Sequence, residues 1–362
     1  MPHVPLSVRF AAAITNAARH RPSLRAPLNV LVIGPAWVGD MIMAQSLFQL
    51  LRQHGASAID VVAPAWTEPL LARMPEVRAT IPLALGHGQL GFSARWRLGR
   101  GLRGRHYQRA IVLPNSWKSA LPAWAARIPR RTGYVGELRY GLLNDARQLN
   151  QQTHWRMVDR FLALALEPGE PLPSETPMPA LRADAANGRA ALARLGLAAP
   201  ARPVLGVCPG AEYGPAKRWP EAYYAEVVRT RHAAGWDVWL FGSSNDAPVT
   251  RAINAAAGGV AHDLAGRTTL ADAIDLMALT RAIVTNDSGL MHVAAALGRP
   301  LVAVFGSSDP THTPPLSPSA EVAYLKLACS PCFERECPLG HLRCLRDLDV
   351  ARVQSALDRV TA

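Results

Sequence analysis

The chain has 362 residues, 49% apolar and 18% charged, which is long for one hydrophobic core and too apolar for a disordered protein. No apolar run reaches the ~18 residues of a membrane-spanning helix. The net charge of +12 is uneven: residues 1–160 hold 21 Lys and Arg against 7 Asp and Glu, and residues 161–362 hold 18 against 20. A basic first half points to an anionic partner, whether nucleic acid, acidic lipid or a phosphorylated substrate. Free use of arginine (36 Arg, 3 Lys) is the plainer alternative, although it leaves the shortage of acids unexplained.

In chain order, residues 1–27 read as an N-terminal extension whose short run FAAAITNAA lacks the logic of an export signal. LNVLVIG (28–34) reads as a strand ended by Gly-Pro, and DMIMAQSLFQLLRQHG (40–55) as a helix with a Gly stop. IDVVAP (59–64) is a strand and EPLLARMP a helix; YQRAIVLPN (107–115) is a strand and SALPAWAAR a helix. LEPGEPLPSETPMPALRADAANG (166–188), rich in Pro, Glu and Ser, marks a linker. The alternation then restarts. RPVLGVCPG (202–210), WDVWLFGS (236–243), AIVTN (282–286) and PLVAVFGSS (300–308) read as strands. WPEAYYAEVVRTRHAAG (219–235), LADAIDLMALT (270–280) and SGLMHVAAALG (288–298) read as helices. Strand–helix alternation on both sides of a linker predicts an α/β chain of two parallel-sheet domains facing a cleft. In such sheets ligands bind at the carboxyl ends of the strands.

Four stretches carry chemistry. GPAWVGDM (34–41) stands where a nucleotide loop would, yet it is neither G-x-G-x-x-G nor a P-loop, which argues against a dehydrogenase. Its Asp40 is either a helix N-cap or a general base. CPGAEYGPAKRWP (208–220) brings Lys217 and Arg218 onto a glycine-rich loop before a helix, a phosphate-binding arrangement; Lys217 is one of three lysines, so a point charge is wanted there. In NDSGLMHVAAALGRP (286–300), Ser288 and Gly289 fall at a helix N-terminus, where backbone N–H groups and the dipole favour an anion, and His292 lies one turn on. Asp287 is badly placed for phosphates and well placed for sugar hydroxyls. CSPCFERECPLGHLRCL (329–345) holds Cys329, Cys332, Cys337, His341 and Cys344, thiols and an imidazole at a spacing that matches no common zinc finger or ribbon. Structural zinc, buried thiols and a redox-labile pair all remain open. The absence of export logic and the odd number of cysteines favour a reducing cytoplasm. Residues 113–145 interleave Lys118 and Arg139 with Trp and Tyr, a pattern of nucleic-acid surfaces and of sites that meet phosphorylated sugars at a membrane.

Taken together, GPAWVGDM, LPNSWKSAL, RTGY, RYGLLND, CPGAEYGPAKRWP and NDSGLMHVAAALGRPLVAVFG resemble the ADP-heptose:lipopolysaccharide heptosyltransferases, from about residue 28 to about residue 320. The resemblance implies a GT-B fold, two Rossmann-like domains around a cleft. It implies an acceptor-binding domain over 28–175, a linker over 176–200, an ADP-heptose-binding domain over 201–345 and a C-terminal helix over 346–362. The implied reaction is inverting heptosyl transfer to the first heptose of Kdo2-lipid A. No cofactor or bound metal is required; the partners are ADP-heptose, a phosphorylated acceptor and the inner face of the cytoplasmic membrane, and not nucleic acid. Asp40 matches the family's catalytic base. Lys217, Asp287, Ser288, Gly289, Leu290 and His292 match its donor site, and Asp246 its ribose contact. Ser116, Lys118 and Arg139 are expected to meet the acceptor. A heptosyltransferase with a different acceptor is one alternative reading, and a nucleic-acid-binding protein that uses the basic half is the other.

Overall fold

The computed structural model describes residues 28–85 and 89–362; the extension expected over 1–27 lies outside the described residues. The first half builds β1 (Leu28–Ile33), α1 (Val38–Gln53), β2 (Ala56–Pro64), α2 (Glu68–Leu71), β3 (Ala79–Leu83), α3 (Phe92–Gly101), β4 (Arg109–Val112), α4 (Trp117–Ala125), β5 (Arg130–Tyr134), β6 (Asp145–Arg147) and α5 (Met157–Ala165). The stretch expected to link the halves folds in part into α6 (Ala185–Leu195), capped by Asp184, whose carboxylate accepts from the Ala186 and Asn187 amides. The second half builds β7 (Val204–Cys208), α7 (Glu221–Ala233), β8 (Asp237–Leu240), α8 (Ala247–Ala256), β9 (His262–Asp263), α9 (Leu270–Met277), β10 (Ala282–Asn286), α10 (Gly289–Ala296), β11 (Leu301–Val304), β12 (Ala320–Ala323), α11 (Arg343–Arg346) and α12 (Val350–Thr361).

The strands form two six-stranded sheets, ordered β3-β2-β1-β4-β5-β6 and β12-β11-β10-β7-β8-β9. Every pairing in both is parallel. Counted within its own half, each sheet has the same doubly wound order, first strand beside fourth. The connections therefore change direction between β1 and β4, and again between β7 and β10. A crevice opens outside the carboxyl ends at such a switch point. The expected pair of Rossmann-like domains is what the chain forms.

Burial explains why the central strands are nearly pure aliphatic. Val30, Leu31 and Val32 of β1 and Ile283 and Val284 of β10 are fully buried, because helices cover both faces of a parallel sheet. Strands β3, β5, β6, β9 and β12 were not legible. They are short and lie toward the sheet edges, where RRTGY and DAR carry no apolar run.

The halves share one apolar core, which runs from Val30, Phe48 and Leu162 to Cys208, Ile283 and Met291. Two of the contacts between them bear most directly on the cleft. At the back, Arg73 makes a two-pronged ion pair with Asp275 of α9, with Nε 2.8 Å from Oδ1; both groups are buried. Asp275 also accepts from the Asp184 amide and the Asn187 side chain. At the front, the first turn of α1 meets the first turn of α10. A Cβ on Gly39 would stand 2.7 Å from His292 Cδ2, and one on Gly289 would stand 2.9 Å from Val38 Cβ. Neither glycine has a positive φ; each is there because no side chain fits between the helices.

Gly289→Ala should therefore destabilise the protein by about 1–3 kcal/mol in urea unfolding, the usual cost of overpacking. Gly101→Ala, where nothing lies within 4 Å of the added carbon, should be neutral or slightly stabilising. Equal effects at the two positions would remove the packing argument.

Candidate functional site

The site forms where the two switch-point crevices meet. On the first side, β1 ends at Ile33 and the chain enters α1 through Gly34–Trp37. The helix begins two residues earlier than its pattern suggests. Its N-cap is Trp37, so Asp40 lies in the first turn and is not the cap. Among the described residues its carboxylate accepts no hydrogen bond. Burial pushes its pKa up to about 6, and the charge of Lys217 pulls it part of the way back. A carboxyl without a partner, desolvated and near a cation of the other half, is suited to taking a proton near neutral pH.

On the second side, three loops converge. Lys217 leaves the loop after β7, and its Nζ lies 2.5 Å from Asp287 Oδ2. The Ser308 hydroxyl donates to that same oxygen. Both donors use Oδ2, so among the described residues Oδ1 is left for another donor. Ser288 is the N-cap of α10 and makes no side-chain cap bond, which leaves the first-turn amides without a side-chain acceptor; its hydroxyl lies 3.4 Å from that of Thr285. His292 is buried beneath them, and desolvation lowers its pKa to about 4, so the ring is neutral at pH 7. Leu290 packs against the main core. Asp246 follows β8 and sits over Gly210, where a Cβ would lie 2.4 Å from its Oδ1. Its Oδ2 accepts from the Ser243 amide and hydroxyl, which closes a capping box.

Three positioning residues escaped the sequence reading. Asn286, the last residue of β10, is fully buried. Its Oδ1 accepts from the Trp219 amide and the Tyr224 hydroxyl, and its Nδ2 donates to the Pro209 carbonyl. One amide thus ties the loop after β7 to the loop after β10. Ser308 fixes Asp287. The Tyr213 ring lies between two cations, 5.0 Å from Lys217 Nζ and 5.0 Å from the Arg335 guanidinium. An asparagine closing an aliphatic strand was the available signal for the first; the other two depend on long-range contacts.

Elsewhere on the first half, Ser116 is the N-cap of α4 at the carboxyl end of β4, and Lys118 follows within the helix, its Nζ 3.5 Å from the Gln89 carbonyl. Arg139 differs from expectation. It is 1% exposed and donates to the carbonyls of Tyr134, Pro114 and Ser116 and to the Asn115 side chain. It shapes this loop from beneath and does not line its surface. The four late cysteines are unbonded thiols, and no three metal-ligating side chains among the described residues are grouped as an ion cage.

The family model for glycosyltransferase family 9 (heptosyltransferase) matches residues 95–343. The chain belongs to this heptosyltransferase family. It is 46% identical to lipopolysaccharide heptosyltransferase 2 of Salmonella typhimurium, over 91% of this chain and 97% of the relative. The structure of E. coli ADP-heptose lps heptosyltransferase II superposes with a TM-score of 0.82 at 44% identity, covering 92% of this chain and 98% of that one. A family 9 glycosyltransferase from Veillonella parvula shares the fold at 19% identity, with a TM-score of 0.80 over 92% of this chain and 97% of that one. The two-sheet GT-B architecture of the heptosyltransferases is thus this chain's own, and the chain is a glycosyltransferase.

The raised pKa of Asp40 gives a prediction with a definite sign. The folded state holds this proton more tightly than the unfolded chain, so ionising Asp40 costs stability as pH rises through about 6. At pH 8, Asp40→Asn should raise the thermal midpoint, and the gain should vanish below pH 4. A midpoint lowered at pH 8 would show that the carboxylate is held by a partner.

Proposed function

We propose that the chain transfers heptose from ADP-heptose to the lipopolysaccharide inner core, with the first heptose of Kdo2-lipid A as acceptor and inversion at the transferred carbon. The observation that carries the reading is Asp40, a carboxyl with a pKa near 6 on one crevice, facing Lys217 and the open N-terminus of α10 on the other. The names of the relatives supply the heptose, the ADP and the lipopolysaccharide.

The division of roles follows the electrostatics. In the transition state the bond between the heptose and the β-phosphate breaks, and ADP leaves with the electron pair. Lys217 and the first-turn amides at Ser288 and Gly289 receive the growing negative charge. The acceptor oxygen attacks from the opposite side, and Asp40 takes its proton. Asp287, with Oδ1 open, accepts from heptose hydroxyls. The carboxylate of Asp246, above Gly210, accepts from the ribose. Neutral His292 fills the space behind the phosphates without drawing them off line. Ser116 and Lys118 meet the acceptor, with Arg139 holding their loop. In domain terms, 28–175 takes the acceptor, 201–345 the donor, and α12 closes the chain on the donor side.

The acceptor's lipid puts the reaction at the cytoplasmic face of the inner membrane. No helix among the described residues is long and apolar enough to cross a membrane. The first half instead presents α3 with Arg97 and Arg100, exposed Phe92 stacked on Trp96, and Trp96 against exposed Trp124. Basic and aromatic side chains on one surface suit the headgroup layer of an anionic bilayer.

With wild type, ADP release from ADP-heptose should need the heptosyl-Kdo2-lipid A acceptor, and kcat/KM should climb through an acidic limb near pH 6. Asp40→Ala should abolish turnover with ADP binding kept, and Lys217→Ala should cost about 10²–10³ in kcat. Acceptor-independent release, or full turnover in Asp40→Ala, would overturn the base assignment. Vesicles containing anionic lipid should sediment the protein in low salt and release it in high salt. Equal binding to neutral vesicles would refute the electrostatic contact.

A further inference from the structure

The transferase chemistry leaves one motif unused, the cysteine-rich segment between β12 and α11. Residues 324–342 contain no helix or strand, yet they pack directly against the donor loop. The Ala216 amide donates to the Arg335 carbonyl, and the Tyr213 hydroxyl donates to the Phe333 carbonyl at 2.6 Å. A Cβ on Gly214 would stand 2.4 Å from the Arg335 carbonyl oxygen. The amides of Cys332 and Phe333 both donate to the Ser307 carbonyl. A long irregular segment needs something other than a backbone ladder to hold it.

We propose that Cys329, Cys332, Cys337 and Cys344 form a four-thiolate site for one thiophilic divalent metal ion, zinc by its ligand chemistry, which fixes this segment against the donor loop. Three observations converge on it. First, Cys329, Cys332, Cys337, Cys344 and His341 all line one small cavity, with Ala216 and Ser307 in its wall. Second, Ser307 also lines that cavity, is 1% exposed, and its hydroxyl has no hydrogen-bond partner among the described residues. A buried orphan hydroxyl is costly unless something in the cavity accepts from it, and a metal-bound thiolate does so. Third, the Leu342 backbone amide is aimed at the Cys337 sulfur and donates to it at 3.5 Å. A fixed N–H donor of this kind is the outer-shell partner that a metal-bound sulfur accepts from.

Four sulfurs around one point select zinc, or iron in the same geometry. His341 is the weaker candidate ligand, because its Nδ1 already accepts from the Arg343 amide. Among the described residues these side chains line the cavity without being grouped as a closed ion cage. Cys329, Cys332 and Cys337 are only half-buried, so side-chain rotation can close them on an ion. On binding, each thiol loses its proton to solvent and no electron is exchanged.

The test uses the full chain, purified with reductant and without chelator. Metal analysis should find about one zinc or iron per chain. Replacement by Co2+ should give sulfur-to-cobalt charge-transfer absorption and tetrahedral ligand-field bands. The Cys332→Ser/Cys337→Ser variant should lose both the metal and the bands. Ser307→Ala, which keeps all four thiols, should bind about tenfold more weakly in competition with a chromophoric chelator. The wild-type cobalt spectrum needs no variant to fold. Reduced wild type that takes up neither Zn2+ nor Co2+, or peptide mapping that finds disulfides among the four cysteines as purified, would overturn the site. These readouts do not depend on the transferase reading. One consequence does rest on it: a chelated, folded enzyme should show a raised KM for ADP-heptose with kcat less affected.

Discussion

Everything in the cleft depends on how closely two helix N-termini can approach. The first turns of α1 and α10 come from different sheets, and each carries glycine at the point of contact. That contact brings the carboxyl of Asp40 into the field of Lys217, and it seals His292 from water so completely that the ring stays neutral. Burial is what makes the two groups useful. The same carboxyl on an open helix would ionise near its ordinary value and would be a poor base at neutral pH. Asp40 thus gains its chemistry from the packing of a residue 252 positions away in the chain, and that packing is allowed only by missing side chains.

The back of the cleft works by the opposite device. Arg73 and Asp275 are both charged and both buried, and the pair is completed by the Asp184 amide and the Asn187 side chain. Removing one partner of such a pair typically costs about 3–5 kcal/mol. A polar latch on one side and close apolar packing on the other give the halves a preferred register. Several other arginines of the basic first half are likewise turned inward. Arg109 donates to the Leu164 and Ala165 carbonyls at the end of α5, and Arg139 to those of Pro114, Ser116 and Tyr134. The charge excess that suggested an anionic partner is therefore partly internal scaffolding. The remainder, such as Arg97 and Arg100 of α3, faces outward beside aromatic rings.

The fold was legible because its central strands are aliphatic runs that end in glycine, proline or asparagine, and those punctuation marks lie at the ligand-facing ends. The loops that carry Lys217 and Asp287 were legible for the same reason. What escaped has a common physical character. Edge strands such as β6 bury too little to need an apolar pattern. Helix α6 begins at an Asp cap inside a polar stretch that reads as linker. The cap assignment for Asp40 missed by three positions, because Trp37 begins the helix with no polar side chain at all. Ser308 and Tyr213 act through partners far away in the chain, and nothing in their local spacing marks them; Asn286 was marked only by its place at the end of an aliphatic strand.

The two sheets repeat one strand order, so the cleft is the same crevice met twice, face to face. The repetition is in the backbone alone: one crevice offers a carboxyl, the other a lysine and a row of amides. Such an arrangement separates two tasks that most catalytic sites must entangle. The half that carries the lysine and the amides can stay fixed while the opposite rim drifts in shape and charge. A scaffold of this kind is ready-made for diversification, in which one activated sugar is carried to many successive positions on a growing surface glycan by replacing half of the protein's wall at a time.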